Sequence, residues 1–290
     1  MDSEHHSVGW KGLIYLASME AGKPSIGHLL THLETLPIDS IVAELRGVFG
    51  LFIYEKRSGR WTVIGDNSGL YKIFYNCDSI STSFIEIARQ ETDPLRLVDR
   101  KAIVEFIAYG CNLGRHTPLT GIFKLRRGDI LELDPASGTV QRRAKPDHED
   151  LPAKGTAGDE GETFVLAFFN DLARAFGTRR VSVDVTGGFD SRAAAGLLAA
   201  QGLDFECAIA GVAKSTDVEA ARQVALTLGH ELCFHEHDVR RLEEELPAAF
   251  LAGDGLMEMP RLHRNWQMAQ GRLGRGIDVM VHGGGGEFFR

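Results

Sequence analysis

The run Val183 to Arg192, VDVTGGFDSR, carries the residue types of a phosphate site in the order such a site needs. Val181, Val183 and Val185 alternate with Ser182 and Asp184, the period of a short strand. Gly187 and Gly188 follow, and Asp190 and Ser191 then open an apolar-periodic stretch, Ala193 to Ala200, that predicts a helix. A strand, a glycine turn and a helix N-terminus together suit an anion. Without Cβ atoms the backbone N–H groups can close on a phosphate, and the positive end of the helix dipole faces it. Asp190 cannot ligate an anion, but it can hold the Mg²⁺ that travels with nucleotide phosphates. The G-x-x-x-x-G-K-[ST] spacing of a Walker A loop, with its lysine, is absent. From this segment alone, an ordinary Gly-Gly turn between a strand and a helix reads the same way.

A second run, HGGGGEFFR from His282 to Arg290, ends the sequence. Consecutive glycines after a buried strand are costly in conformational entropy. A backbone that approaches a phosphate or metal accounts for them, and so does a tight turn. Glu287 stands where it could complete a carboxylate pair with Asp190 around Mg²⁺. Cys233, His235 and His237 alternate, so one strand face could carry three metal ligands, although histidines at a strand end need no metal. Arg192 either reaches a phosphate or substrate carboxylate or faces solvent from the first helical turn. Glu243, Glu244 and Glu245 read as a solvated helix face, and Ser3 and Ser7 lack an evident base partner.

The elements that must position these residues follow from periodicity. Phe164, Phe168, Leu172 and Phe176 recur every fourth residue before Gly177, which predicts a helix with a buried stripe and a glycine C-cap. Strand signals at Val181 to Val185, Phe205 to Ala210, Glu231 to His235 and Ile277 to Val281 alternate with helices near Arg192 to Ala200 and Asp217 to Leu228. Thr216 and Glu219 form a capping-box pattern before the second helix. The alternation predicts a doubly wound parallel sheet, whose ligands bind at the carboxyl ends of its strands. Residues 1 to about 143 instead carry strand signals rich in aromatic and β-branched residues, a helix at Arg100 to Ala108, and a hairpin from Gly128 to Gln141. The polar stretch 144–161, with Pro146 and Pro152, reads as a linker.

Composition is that of a globular protein: 290 residues, 43% hydrophobic and 25% charged. A formal charge of −8 argues against a nucleic-acid partner, because phosphate-backbone binding needs a basic surface. No apolar run reaches the length of a membrane span, and the N-terminal residues lack a signal-peptide core. Four scattered cysteines (Cys77, Cys111, Cys207, Cys233) without C-x-x-C spacing suit reduced thiols in a cytoplasmic protein.

With both glycine motifs in view, the chain resembles the asparagine synthetase family, which includes β-lactam synthetases and lasso-peptide cyclases. TGGFDS is similar to the S-G-G-x-D-S pyrophosphate loop of that ATP pyrophosphatase superfamily, with Thr186 in the first serine position. His282 to Glu287 matches the second loop, S-G-x-G-x-D-E, with Glu287 in place of the usual aspartate. Ala210-Gly211, Ser215, Asp217, Ala221 and Ala225 match the segment that receives adenosine, and Asp254 and Pro260 match a further D…P element. In the first half, LRGVFGLFIYEKRSGRWTVIGDNSGLYKIFY and, after Asp99, GIFKLRRGDILEL resemble the family's glutaminase-type domain.

The resemblance implies a mixed fold. An α+β glutaminase-type (Ntn) sandwich over 1–143 would precede an adenine-nucleotide α-hydrolase-like (PP-loop) α/β sheet over 162–290. It implies ATP-dependent amide formation: Mg²⁺·ATP adenylates a small-molecule or peptide carboxylate and releases pyrophosphate, then an amine or ammonia displaces AMP. Val185, Thr186, Gly187, Gly188, Asp190, Ser191, Gly211, Gly283 and Gly285 would bind ATP, with Asp190 and Glu287 on the metal. Homo-oligomers fit the same reading. The chain departs from the family at Arg192, where the family usually has a small or hydroxyl residue, and in two further respects. Asp2 replaces the cysteine that follows the initiator Met, so glutamine hydrolysis is expected to be lost. The sequence also stops inside the second loop, so the sheet is expected to be incomplete. A non-catalytic binding protein and another PP-loop ligase, such as a thiolation enzyme, are the rival readings.

Overall fold

The chain divides into two compact units, Met1–Leu151 with Phe250–Glu258, and Pro152–Ala249 with Met259–Arg290. The computed structural model describes residues 1–16, 26–91, 93, 97–146 and 159–284. Most of the expected linker, 147–158, and the end of the second glycine run, 285–290, lie outside the described residues.

The first unit contains β1 (His6–Leu16), α1 (Ile26–Thr35), α2 (Ile38–Glu44), β2 (Leu45–Glu55), β3 (Trp61–Gly65), β4 (Phe74–Tyr75), β5 (Ile80–Ser81), α3 (Phe84–Ala88), α4 (Arg100–Tyr109), β6 (Phe123–Lys124), β7 (Asp129–Asp134) and β8 (Thr139–Ala144). An antiparallel sheet runs in the order β1-β2-β3-β7-β8, and a smaller one in the order β5-β4-β6. Side-chain alternation sorts the apolar residues to two faces. Phe49, Leu51 and Ile53 of β2 pack with Leu29, Ile41 and Val42 of the helices. Phe52, Val63 and Leu131 face the other way, toward Ile73, Tyr75 and Leu125. Phe74 points to the far side of the small sheet and packs on Phe84 and Ile87 of α3. The layers are therefore helix, sheet, sheet, helix. Each fully buried phenylalanine, such as Phe49 or Phe74, contributes about 1.5–3 kcal/mol by leaving water.

Buried polar groups fix the turns of this unit. Asp66 is fully buried and accepts from the N–H groups of Ser68 (2.9 Å), Leu70 (3.1 Å) and Tyr71 (2.7 Å), which organises the DNSG turn. Lys145, which composition assigns to the linker, is buried instead and donates to Gly65 O (2.7 Å) and Asn67 Oδ1 (3.0 Å). Burial pulls its ammonium down to about 8, against the opposing charges of Asp66 and Asp129. From the distant segment Phe250–Glu258, Leu256 joins the α3 cluster. Asp254, in the left-handed region at φ 57°, caps α3: it accepts from Ser83 Oγ (2.6 Å), Ile85 N (3.1 Å) and Phe84 N.

The second unit contains α5 (Asp159–Phe176), β9 (Val181–Asp184), α6 (Phe189–Ala200), β10 (Phe205–Gly211), α7 (Thr216–Leu228), β11 (Leu232–Glu236), most of α8 (Leu242–Ala252), α9 (Met259–Gly274) and β12 (Val279–Val281). Its strands form a parallel sheet in the order β11-β10-β9-β12. The chain steps from β9 outward to β10 and β11, then returns to lay β12 on the other side of β9. The strand order reverses at that junction, between β9 and β12. α6 packs on β9, and α7 on β10. Their buried positions are mostly small: Ala194, Ala195 and Leu198 on α6, and Val218, Ala221 and Ala225 on α7.

The opposite face of β9 presents Ser182 and Asp184 to α9. There Arg272, 6% exposed, donates from Nε to Ser182 Oγ (3.0 Å), from Nη2 to Asp184 and from Nη1 to Met280 Sδ (2.8 Å). Arg275 grips Glu206 through two hydrogen bonds, 3.0 and 2.7 Å. Burial raises the Glu206 carboxyl, yet hydrogen bonds from Arg275 and Ser182 and the nearby guanidinium charges hold it below the usual carboxylate range.

Two further expectations need correction. The helix stripe of α5 is not buried: Phe164 is 63% and Phe168 45% exposed, and only Phe176, at 1%, is core. Burial rises toward the C-terminal end of α5. The cap of α7 is Ser215, which accepts from Val218 N, one residue before the expected Thr216.

Two substitutions test these restraints. Asp254→Ala should cost about 1–2 kcal/mol in chemical denaturation, because three donors around the start of α3 lose their acceptor; an unchanged midpoint would contradict the cap. Arg272→Leu should cost about 3 kcal/mol by stranding Asp184, and Arg272→Leu with Asp184→Leu should recover part of that loss. A double variant no more stable than the single one would show that the ion pair is not what holds α9 on β9.

Candidate functional site

β9 ends at Asp184, and Val185 stays in the sheet by donating its N–H to Ala208 O at 2.9 Å. The chain then turns into the glycine loop. Thr186 and Ser191 staple it: Ser191 Oγ accepts from Thr186 N (3.0 Å), lies 3.0 Å from Thr186 Oγ1 and donates to Gly188 O (3.2 Å). Ser191 is buried, so its hydroxyl shapes the loop. Gly188 N–H donates to Thr186 Oγ1 (3.1 Å), and Gly187 N–H donates to Asp217 Oδ1 (3.2 Å) at the start of α7. Gly188 is the N-cap of α6 and puts no side chain over the first-turn N–H groups. Asp190 lies half-buried in that first turn. Arg192 stacks its guanidinium on the Phe189 ring, 4.7 Å from the centroid, and Nε donates to Gly188 O at 3.3 Å.

The second glycine run meets the first. A Cβ at Gly283 would lie 2.5 Å from Ser191 N and 2.8 Å from Ser191 Cα. Only glycine lets the backbone after β12 rest on the first turn of α6. Gly284 N–H then donates to His282 Nδ1 at 3.0 Å. Gly211, at the end of β10, differs: a Cβ there would make ordinary contacts with Val218 and Ser215. Gly285 and Glu287 lie outside the described residues, and with them the second half of the expected carboxylate pair.

A cleft of about 540 Å³ opens at the amino edge of the same sheet, where Arg179, Arg180, Glu206 and His230 line it. Arg179 and Arg180 bring positive charge to it, but the helix ends around it act the other way. Gly177, Gly202 and Gly229 line it just past the C-terminal ends of α5, α6 and α7. Those ends carry negative partial charge and disfavour phosphate. The N-terminus of α6 points the other way, to the glycine loops, and the strand order reverses there.

The Cys233–His235–His237 face reads differently in three dimensions. Among the described residues, no group of three His, Cys, Asp or Glu side chains could hold a metal ion. Burial pushes the Cys233 thiol up. His235 Nε2 is buried without a hydrogen-bond partner among the described residues. His237 turns to α9, its Nε2 lying 3.1 Å from His263 Nδ1. His263 Nε2 in turn meets Glu245 Oε2 at 2.8 Å. Glu245 is therefore no part of a solvated face. Sequence reading missed this network because its members are 18 and 26 residues apart. The available signal was His263 with Gln267, one turn apart on α9.

In the first unit, Asp2 is held by Ser7 and by Lys56 (3.3 Å), and the Ser7 hydrogen bond, then Lys56, keep its carboxyl below the usual range. Ser3 Oγ donates to Glu34 Oε1 at 2.5 Å.

No family model matches the chain, and no curated protein matches its sequence.

Proposed function

We propose that the second unit binds Mg²⁺·ATP where its two glycine loops meet, and that it serves an asparagine synthetase-like ligase. In this reading a carboxylate is activated as an acyl-adenylate with release of pyrophosphate. An amine or ammonia then forms the amide and AMP leaves. The observation that carries the reading is the seating of Gly283 on Ser191 at the reversal between β9 and β12. A backbone without side chains beside a helix N-terminus leaves room for a pyrophosphate group over the part of that turn that Gly283 does not cover.

Each residue has a task in this account. The first-turn N–H groups of α6 hold the β and γ phosphates and stabilise charge as pyrophosphate departs. Thr186 and Ser191 keep the loop in shape. Asp190 would hold the Mg²⁺ that offsets the negative charge of the phosphates; Glu287, its expected partner, lies outside the described residues. The helix–sheet–sheet–helix layering of the first unit supports a glutaminase-type domain. Asp2 cannot replace a thiolate nucleophile, so that domain has no glutaminase activity of its own. The cytoplasm, with its ATP and reduced thiols, is the setting proposed for this chemistry.

Calorimetric titration tests the site. Asp190→Asn should weaken Mg²⁺·ATP binding at least about tenfold, roughly 1.4 kcal/mol, while Glu243→Gln on the exposed face of α8 should leave it unchanged. Equal affinity in both variants would reject the metal assignment. AMP and pyrophosphate formation that depends on an added carboxylate would distinguish a ligase from a protein that only binds nucleotide.

A further inference from the structure

Two histidine rings meet in the second unit, and their contact limits how many protons they can carry together. His237 follows β11, and His263, 2% exposed, lies on α9. His237 Nε2 stands 3.1 Å from His263 Nδ1, a hydrogen bond that needs one proton and one lone pair. On its other side His263 Nε2 lies 2.8 Å from Glu245 Oε2 of α8. The neutral pair meets the requirement. So does the pair with one added proton, whichever ring holds the charge, because one nitrogen of the contact keeps its lone pair. A second added proton does not fit. Both rings are then imidazolium, and N–H faces N–H between two positive charges.

Each element packed around the pair acts on that second proton. From α8, Glu245 accepts from Arg241 Nη2 at 2.5 Å and from Gln267 Nε2 of α9 at 3.0 Å. After β11, Asp238 accepts from Arg240 at 2.8 and 3.0 Å. Each carboxylate of the network therefore already holds an arginine. Burial, then the charges of His263 and Arg264 on α9 and of His235 on β11, hold the His237 pKa below its ordinary value, against the opposing charge of Asp238. Burial raises the Glu245 carboxyl, but Gln267, His263 and Arg241 hold it below the usual carboxylate range, so it stays ionised while the rings titrate.

We propose that His237 and His263 form an acid-released clasp, which fastens the end of β11 to α9 until both rings are charged. Gln267 adds two bonds that do not titrate: its Oε1 accepts from Asp238 N and its Nε2 donates to Asp238 O, both at 3.1 Å. Acid therefore removes the ring contact and leaves the amide contact, and α9 opens more readily from the segment after β11. The direction follows from the proton count. In the unfolded chain both rings take up protons as the pH falls through about 6.5. In the closed clasp the pair takes up only one. The closed state is fully favoured above that pH and loses stability as the pH falls below it.

Ring-nitrogen NMR of the full chain labelled with ¹⁵N-histidine, from pH 8 to 4.5, reads the protons directly. One ring of the pair should charge about one pH unit or more below the other, and protection of the α9 amides should fall with that second step. Hydrogen exchange gives the size of the effect. In the parent the opening constant of the α9 amides should rise about tenfold from pH 7.5 to 5.0, the response to one proton. His237→Gln keeps an N–H donor toward His263 Nδ1 and cannot titrate, so its opening constant should stay flat. His28→Gln, on the exposed face of α1, should keep the parent's response. Both rings charging together near pH 6.5 with α9 protection unchanged would overturn the clasp, and this titration of the parent decides the matter even if a variant fails to fold. An acid response that survives in His237→Gln would overturn it as well.

Discussion

The second unit depends on a guanidinium placed against the face of its sheet. Arg272 of α9 reaches Ser182 and Asp184 on β9 and Met280 on β12 at once. A buried arginine is costly unless its donors are satisfied; Ser182 and Asp184 of β9 take two of them, and Met280 of β12, which pairs with β9, takes a third. That adjacency delivers the second glycine run to the first turn of α6. Backbone contact at Gly283 then shapes the candidate site.

The two edges of the sheet are not equivalent. In an α/β sheet every helix returns antiparallel to its strands, so helix N-termini gather at the carboxyl edge and C-termini at the amino edge. The cleft at the amino edge lies among C-termini, and the glycine loops lie at an N-terminus. For an anionic ligand the sign of the helix dipole favours the carboxyl edge.

Much of the architecture was legible in the sequence where one physical signal dominated. The buried strands of the second unit are apolar runs separated by helical periods, and the parallel sheet follows from that alternation. Local turn chemistry was also readable, as at Asp66 and its DNSG turn. Periodicity failed at α5, because a stripe of phenylalanines says that a face is apolar and not that anything covers it. It failed by one residue at α7, where Ser215 and Thr216 both carry a hydroxyl and only backbone geometry chooses between them. The glycines and Asp190 were marked by type and spacing. The network of His237, His263 and Glu245, and the cap that Asp254 gives α3, join residues far apart in the chain. No local pattern announces such pairs, since tertiary packing alone brings them together.

Amide-resolved NMR of the isotopically labelled chain, titrated with Mg²⁺ and a non-hydrolysable ATP analogue, tests the central claim most directly. Saturable shifts at Gly187, Gly188, Phe189, Asp190, Gly283 and Gly284 are the predicted result, with Arg179, Arg180 and His230 unmoved. Shifts confined to the amino-edge cleft, or none at either edge, would contradict the account.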